Sequence, residues 1–488
     1  MKKKNIIFIA LGLILLASCE GFLDVKPGNS APAETSITTA NDAGVAISGL
    51  MRKMVSSSYY GRDFIIYGDA KGGDFAIRSQ GRGLDGLYTF NHSASSGSYS
   101  GYWSQMYHCL LQINNLLANI KNIEDAGKGS TALSDYKGQA LTARAIIYFD
   151  LIRLYGKPYN MDKASLGVPL ILEPLPFNAK PTRSNVEQVY TQILKDLTDA
   201  APLLSKSIVK GFINYYANMS MQARVNLYMN NYTAALAAAE TVITSNKYSL
   251  YANDKWVSSW SNEFGAESIF EIAVYKEEAD LGTSSLGYYL MRKSQKSGAM
   301  GWFMASDYFV ARLGQDPLDV RKGIMTYDET SSSRFGACLK YAGLELKGDK
   351  NDTPSATNIK VIRLSEIYLI AAESALNLPT PDMTKAVNYL NAIRKRAPSL
   401  APATALTINM DMISDERSKE LFAEGHRFFD MMRWNKSIEF NDDFISPAVQ
   451  IPHRTKIIDR TFYKTILPIP KAEIDANPAI KDQQNPGY

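Results

Sequence analysis

Three glutamates, Glu416, Glu420 and Glu424, recur four residues apart in "DERSKELFAEGHRFFDMMRW". On a helix that spacing stacks them along one face. Two carboxylates facing one substrate are what glycosidic cleavage uses as acid and base. Three like charges on one face also repel, so the pattern demands nearby cations, and Arg417, Arg427 and Arg433 stand in the same stretch. A segment so densely cross-charged offers no isolated carboxyl for catalysis. The preferred reading is a partly buried ion-pair network that orients the C-terminal segment.

Other patterns carry less chemistry. "QGRGLDG" satisfies G-x-G-x-x-G with Gly81, Gly83 and Gly86, but a dinucleotide loop needs a strand before it and a helix after it. Here "LYTFNHSASSGSY" follows, which predicts a flexible loop. His92, His108, His426 and His453 are scattered without ligand spacing, so no zinc or iron site and no cofactor is expected. A calcium ion in an aspartate-bearing loop stays open. So does the pairing of Cys109 with Cys338, which are too few for a disulfide framework.

The third cysteine is different. Lys2, Lys3 and Lys4 precede an apolar run from Ile6 to Leu16, and small residues follow, the layout of a secretory signal over residues 1–18. At 1.5 Å per residue the run is too short for a hydrocarbon layer of roughly 30 Å, so it is not a permanent span. Its end, Leu16-Ala17-Ser18-Cys19, resembles the bacterial lipobox, in which cleavage leaves an acylated N-terminal cysteine. Cys19 then anchors the mature chain, since each buried methylene contributes about 0.8 kcal/mol. An ordinary signal peptide that contains a cysteine is the alternative. An acidic export signal after the anchor is thin, with Glu20 and Asp24 separated by Gly21-Phe22-Leu23.

The composition, 45% hydrophobic and 21% charged, suits a folded chain with a sizeable core, and 488 residues allow about three domains. Removing residues 1–18 leaves 50 basic against 49 acidic side chains, which gives no reason to expect nucleic acid.

Between loops the periodicity is helical. "SNVEQVYTQILKDLTDAAPLL" opens with a Ser184/Glu187 capping box and carries one apolar face. "GQALTARAIIYFDLIRLYGKP" ends at Gly156, with Pro158 beyond. "ARVNLYMNNYTAALAAAETVI" reads as a helical hairpin broken at Asn230-Asn231, and "RLSEIYLIAAESALNLPTPDMTKAVNYLNAIRKRA" as a second. Placing Tyr232 over Met383 aligns Ala235 with Ala386, Leu236 with Val387 and Val242 with Ile393, a weak tetratricopeptide-like similarity without a tandem 34-residue period. The expected fold is all-α, with such hairpins dispersed by long insertions. Two Gly/Ser/Tyr-rich insertions lie at about 56–102 and 248–304, where binding is expected.

Taken in order, "ARAIIYFDLIRLYGKP", "GVPL", "RSNVEQVYTQILKDL", "ARVNLYMNNYTAAL", "ESIFEI", "VIRLSEIYLIAAES", "DERSKELFAEGHRFFDMMRW", "LPIPKAEI" and "QNPGY" resemble the SusD/RagB family of outer-membrane lipoproteins over nearly the whole mature chain. The resemblance implies a single SusD-like body over 19–488, with an N-terminal half to about residue 230 and a C-terminal half from about 265. It also implies a non-enzymatic, lipid-tethered binder on the outer membrane that caps a SusC-like TonB-dependent barrel and passes it an oligosaccharide. The RagB-like branch takes peptides. A surface glycoside hydrolase and a bare scaffold for the barrel are the competing readings.

A glycan binder needs flat aromatic faces and a few polar groups. Trp103 and Tyr107 sit at helical spacing before "LLQINNLL" and are expected in the core, whereas Tyr99 and Tyr102 precede that helix and are freer to face solvent. Tyr288-Tyr289 and Trp302-Phe303 have similar Gly/Ser surroundings, and Asp74 and Arg78 in "GGDFAIRSQ" could fix hydroxyls. By loop-level correspondence with the family, the resemblance points to Asp74, Arg78, Tyr99, Tyr288 and Trp302 as ligand-binding residues.

Overall fold

The computed structural model describes residues 37–77, 85–95, 97–275, 281–291, 299–301, 303–328, 331–343, 357–442 and 451–488, with backbone alone at 97–100, 327–328, 331–335 and 337. Helix α1 (Ala40–Met54) starts at a Thr39/Asp42 capping box and buries Ala43, Ile47, Leu50 and Met54 at three-and-four spacing. Helix α2 (Asp63–Ala70) is buried at every position. After strand β1 (Phe75–Ile77) comes α3 (Gly97–Asp125), which begins inside the Gly/Ser stretch that the sequence reads as a loop.

Helix α4 (Thr131–Tyr155) is capped by Ser130 and stops at Gly156, as expected. Gly156 is not left-handed, however, having φ −114°. A Cβ there would lie 2.6 Å from Ile152 Cδ1, so close packing is what asks for glycine. Helix α5 (Val186–Ala200) starts one residue later than predicted: Asn185 and Gln188 make the capping box. Ser184 is engaged elsewhere, its carbonyl accepting from Gly167 N at 2.7 Å and its N–H donating to Val168 O at 3.1 Å. Glu187 pairs with Lys163 at 2.6 Å.

The first hairpin is α6 (Tyr215–Tyr228) and α7 (Tyr232–Ile243), turning at Asn230 with φ +59°. Strands β2 (Ser268–Ile272), helix α8 (Leu286–Leu290), strand β3 (Phe303–Ala305) and helix α9 (Asp307–Gly314) fill the insertion that follows. Then come β4 (Met325–Asp328), β5 (Ser331–Cys338) and β6 (Ile359–Arg363). The second hairpin is α10 (Leu364–Leu376) and α11 (Met383–Arg394). Its second helix starts at Met383, as α7 starts at Tyr232, so the predicted correspondence is a structural one. Helices α7 and α10 pack together, joining the two hairpins. Helices α12 (Met410–Glu420) and α13 (Arg427–Arg433) precede the short strands β7 (Ile438–Glu439) and β8 (Ile457–Ile458).

The body is therefore mostly helical. Strands occur as four antiparallel pairs among the described residues, β1–β3, β2–β6, β4–β5 and β7–β8, which staple the insertions to the helices. One large hydrophobic core draws on residues from Ala43 to Ile480, and a small separate cluster joins Met291, Ala299 and Ala342. Among the described residues no helix is long and apolar enough to cross a membrane.

Candidate functional site

The glutamate triplet is a buried network. Glu416 and Glu420 end α12, Glu424 lies in the turn beyond, and all three are nine-tenths or more buried. Arg321 donates to Glu416 at 2.9 Å and Arg394 to its other oxygen at 3.1 Å. Arg363 reaches Glu424 at 2.8 Å and Glu420 at 3.3 Å, and Lys340 reaches Glu424 at 2.7 Å. Burial opposes ionisation of Glu420, yet Arg363, Arg396 and Arg321 outweigh it and hold its carboxyl low. The network reading holds, but the cations expected to balance it do not. Arg417 binds Asp430, Arg433 binds Asp430 and Glu373, and Arg427 leans on Ser414 and Asp74. Lys419, one turn further along α12, pairs with Glu416 at 2.9 Å; a residue next to Glu416 in sequence points about 100° away around the helix, so the other partners come from distant segments.

The predicted ligand residues separate into two groups. Cys19, Arg78 and Trp302 lie outside the described residues, as do Gly81 and Gly83 of the glycine motif. Tyr99 falls in the first turn of α3, its side chain outside the described set. Tyr288 is half-buried on α8. Helix α8 and strands β1 and β3 come together here: Met300 N donates to Tyr288 O at 2.7 Å, and Ile77 of β1 stands opposite Phe303 of β3.

Asp74 sits at the other end, where its carbonyl accepts from Ser306 N at 2.8 Å. Its carboxylate is 2% exposed and engaged by Arg312 Nη1 at 2.9 Å and Ser418 Oγ at 2.6 Å. Burial opposes its ionisation, and Arg427 and Arg312 reverse the balance, holding it below the usual carboxylate range. Asp74 therefore does not join the other predicted residues.

Two aromatic expectations change. Tyr102 is 1% exposed because α3 starts at Gly97 and carries it inward, where its hydroxyl donates to Asp63 O at 3.0 Å. Tyr289 is also buried, on the inner side of α8. Trp103 is in the core as expected, its Nε1 donating to Glu473 at 3.1 Å. Cys109 and Cys338 are both free and buried.

Sequence reasoning missed Arg62. Its guanidinium lies 4.6 Å from the Tyr289 ring centroid, Nη1 donates to Tyr289 Oη at 3.0 Å, and Nε pairs with Asp63. Nearby, a Cβ on Gly101 would lie 3.0 Å from Ser58 Oγ, so the 56–63 turn packs against the start of α3. The 56–63 turn, the start of α3 and α8 thus meet around Arg62. A cation inside "YYGRD", flanked by aromatics, was the available signal. Among the described residues no group of three His, Cys, Asp or Glu is arranged to hold a metal.

Comparison with known proteins matches this architecture at both ends. A family model described as "SusD family" matches residues 327–488, and one described as "Starch-binding associating with outer membrane" matches residues 21–227. A SusD superfamily protein from Bacteroides thetaiotaomicron is 32% identical, with a TM-score of 0.84 over 92% of this chain and 100% of its own. A Bacteroides vulgatus protein described as a candidate sugar-binding protein is 34% identical, with a TM-score of 0.83 over 93% of this chain and 100% of its own. A laminarin-binding SusD-like protein has the same fold at 22% identity, with a TM-score of 0.71 over 92% of this chain and 99% of its own. With helical hairpins, stapled insertions and full-length similarity in agreement, this chain belongs to the SusD/RagB family.

Proposed function

We propose that this protein is a non-catalytic glycan binder of the outer membrane, anchored through Cys19 and facing outward. It captures an oligosaccharide and delivers it to a SusC-like TonB-dependent transporter. The observation that carries this reading is the meeting of the 56–63 turn, the start of α3 and α8 beside the half-buried Tyr288. The Tyr288 ring suits the C–H surface of a sugar, and Arg62 with the buried Tyr289 holds the backbone that carries it. The family resemblance adds Arg78, Tyr99 and Trp302 to the proposed ligand-binding residues.

Similarity supports the sugar class. One matching family is described as starch-binding, one relative as a candidate sugar-binding protein and another as laminarin-binding. A hydrolytic role finds no support in Glu416, Glu420 and Glu424, whose carboxylates are sequestered by arginine and lysine.

Calorimetric titration of the purified protein against a panel of oligosaccharides and short peptides tests the reading. Glycan binding that is lost in Tyr288→Ala supports it. Peptide binding with silence across the sugars would replace it by a RagB-like role.

A further inference from the structure

We infer that the cleft between Asp74 and Glu439 is a second saccharide subsite, which holds a neutral sugar ring by its hydroxyls. This rests on the glycan reading of the loop face.

The cleft encloses about 440 Å³ and opens where β1 begins, at the end of the β1–β3 ladder away from Tyr288. That volume lies in the range of small-molecule sites. Its walls come from three parts of the chain: 72–74, α9, and the run from α13 to β7. They pack closely because two glycines lack side chains. A Cβ on Gly72 would lie 2.6 Å from Arg427 Cγ, and one on Gly73, whose φ is +85°, 2.9 Å from Ile438 Cγ2.

Two guanidinium groups line the cleft with donors left over. Arg312 directs Nε to Asp415 at 3.0 Å and Nη1 to Asp74 and Ser418 at 2.9 and 2.7 Å. Arg427 directs Nη1 to Ser414 Oγ at 3.0 Å, and its Nε lies 3.4 Å from Asp74. Among the described residues, Nη2 of each has no protein acceptor. Both side chains are otherwise held in place, Arg427 being 9% exposed, so the free donors are preorganised. At the rim Glu439 accepts from Tyr308 Oη through Oε1 at 3.0 Å, and Oε2 remains for a ligand.

Charge decides the ligand class. Arg312 and Arg427 are balanced by Asp74 and Glu439, and Asp415 adds one more negative charge behind Arg312. The cleft therefore has no net positive field to draw a carboxylate or phosphate. It offers donors inside and an acceptor at the rim, and a hydroxyl group can use both at once. Tyr308, 36% exposed, adds an aromatic surface. Asp74 and Ile77 are three residues apart in extended chain, roughly 10 Å, so the two ends of the ladder lie within the length of a short oligosaccharide.

The test uses the purified full chain and whichever panel oligosaccharide it binds, as disaccharide and hexasaccharide, in calorimetry and in co-crystals. Glu439→Ala and Tyr308→Ala change exposed rim residues. Each is expected to weaken hexasaccharide binding about tenfold and leave disaccharide binding unchanged, whereas Tyr288→Ala weakens both. The co-crystal should place a sugar ring within hydrogen-bond distance of Arg312 and Arg427. Wild-type affinity in both rim variants, with Tyr288→Ala still defective, would overturn the subsite and leave the glycan reading standing. Equal loss for both lengths would make the cleft the primary site and overturn its assignment as the second. Failure of the wild-type protein to bind any sugar would overturn both.

Discussion

Arg62 lies over Tyr289 with its guanidinium 4.6 Å from the ring centroid, and the same side chain donates to the Tyr289 hydroxyl at 3.0 Å. The two residues are 227 positions apart. Their contact ties the early loop to the later insertion, and with it fixes the backbone that carries Tyr288.

Removing that tie should show first in binding. Arg62→Ala forfeits a partly desolvated cation–π contact and a hydrogen bond, about 1–2 kcal/mol together, and leaves the buried Asp63 carboxylate without its ion pair. The expected result is oligosaccharide affinity reduced about tenfold, read by calorimetry, with a melting temperature lowered by only a few degrees. A large drop in melting temperature with unchanged affinity would assign Arg62 to the body of the fold instead.

Glu420 separates structure from catalysis. It accepts from Arg363 at 3.3 Å and from Trp256 Nε1 at 3.2 Å, with Arg321 at 3.7 Å. Glu420→Ala leaves buried cations short of a partner, and a loss of about 3–5 kcal/mol in unfolding free energy is expected by chemical denaturation. Reducing-end release from starch or laminarin should be at background for both proteins. Turnover by the wild type, abolished in the variant, would restore the hydrolase reading.

Acid should destabilise the protein in two stages. His426, beside Glu366 and facing Arg224, Arg417 and Asp430, is pushed down by burial from 6.5 to about 4. Below pH 6.5 the unfolded chain takes up its proton before the folded one, so stability present above that value is lost as pH falls towards about 4. Burial opposes the charge on Glu366, but Arg224 outweighs it and holds the carboxyl at about 2, so its contribution is lost between 4.5 and about 2. Melting temperatures across this range should fall and then steepen. His426→Gln should lose less than the wild type over the first stage. Parallel curves would reject His426 as the source.

Two glycines in helices should respond oppositely to alanine. A Cβ on Gly68 in α2 would lie 2.1 Å from Gly425 O, and Gly425, at φ +83°, cannot easily retreat because its N–H donates to Asp69 at 2.6 Å. Gly68→Ala should cost about 1–3 kcal/mol or more. Gly49 in α1 has nothing within 4 Å of its Cβ position, so Gly49→Ala should gain about 0.5–1 kcal/mol through helix propensity. Denaturation midpoints of the two variants check both signs.

The helical hairpins were legible because local chemistry writes them. Apolar residues at three-and-four spacing, the break at Asn230-Asn231 and the correspondence of Tyr232 with Met383 all follow from neighbours along one chain segment. The buried carboxylate network was legible for the same reason, since three glutamates four apart must be neutralised somewhere. Which cations do it was not, because Arg321, Arg363 and Lys340 arrive from remote segments. The start of α3 was misplaced because tertiary packing of Tyr102 overrides the weak helix propensity of a Gly/Ser stretch. The candidate site lies at that same limit. Residue types could nominate Asp74 and Tyr288, but only the antiparallel register of β1 with β3 put them at opposite ends of one ladder. Only the folded chain set Arg62 against Tyr289.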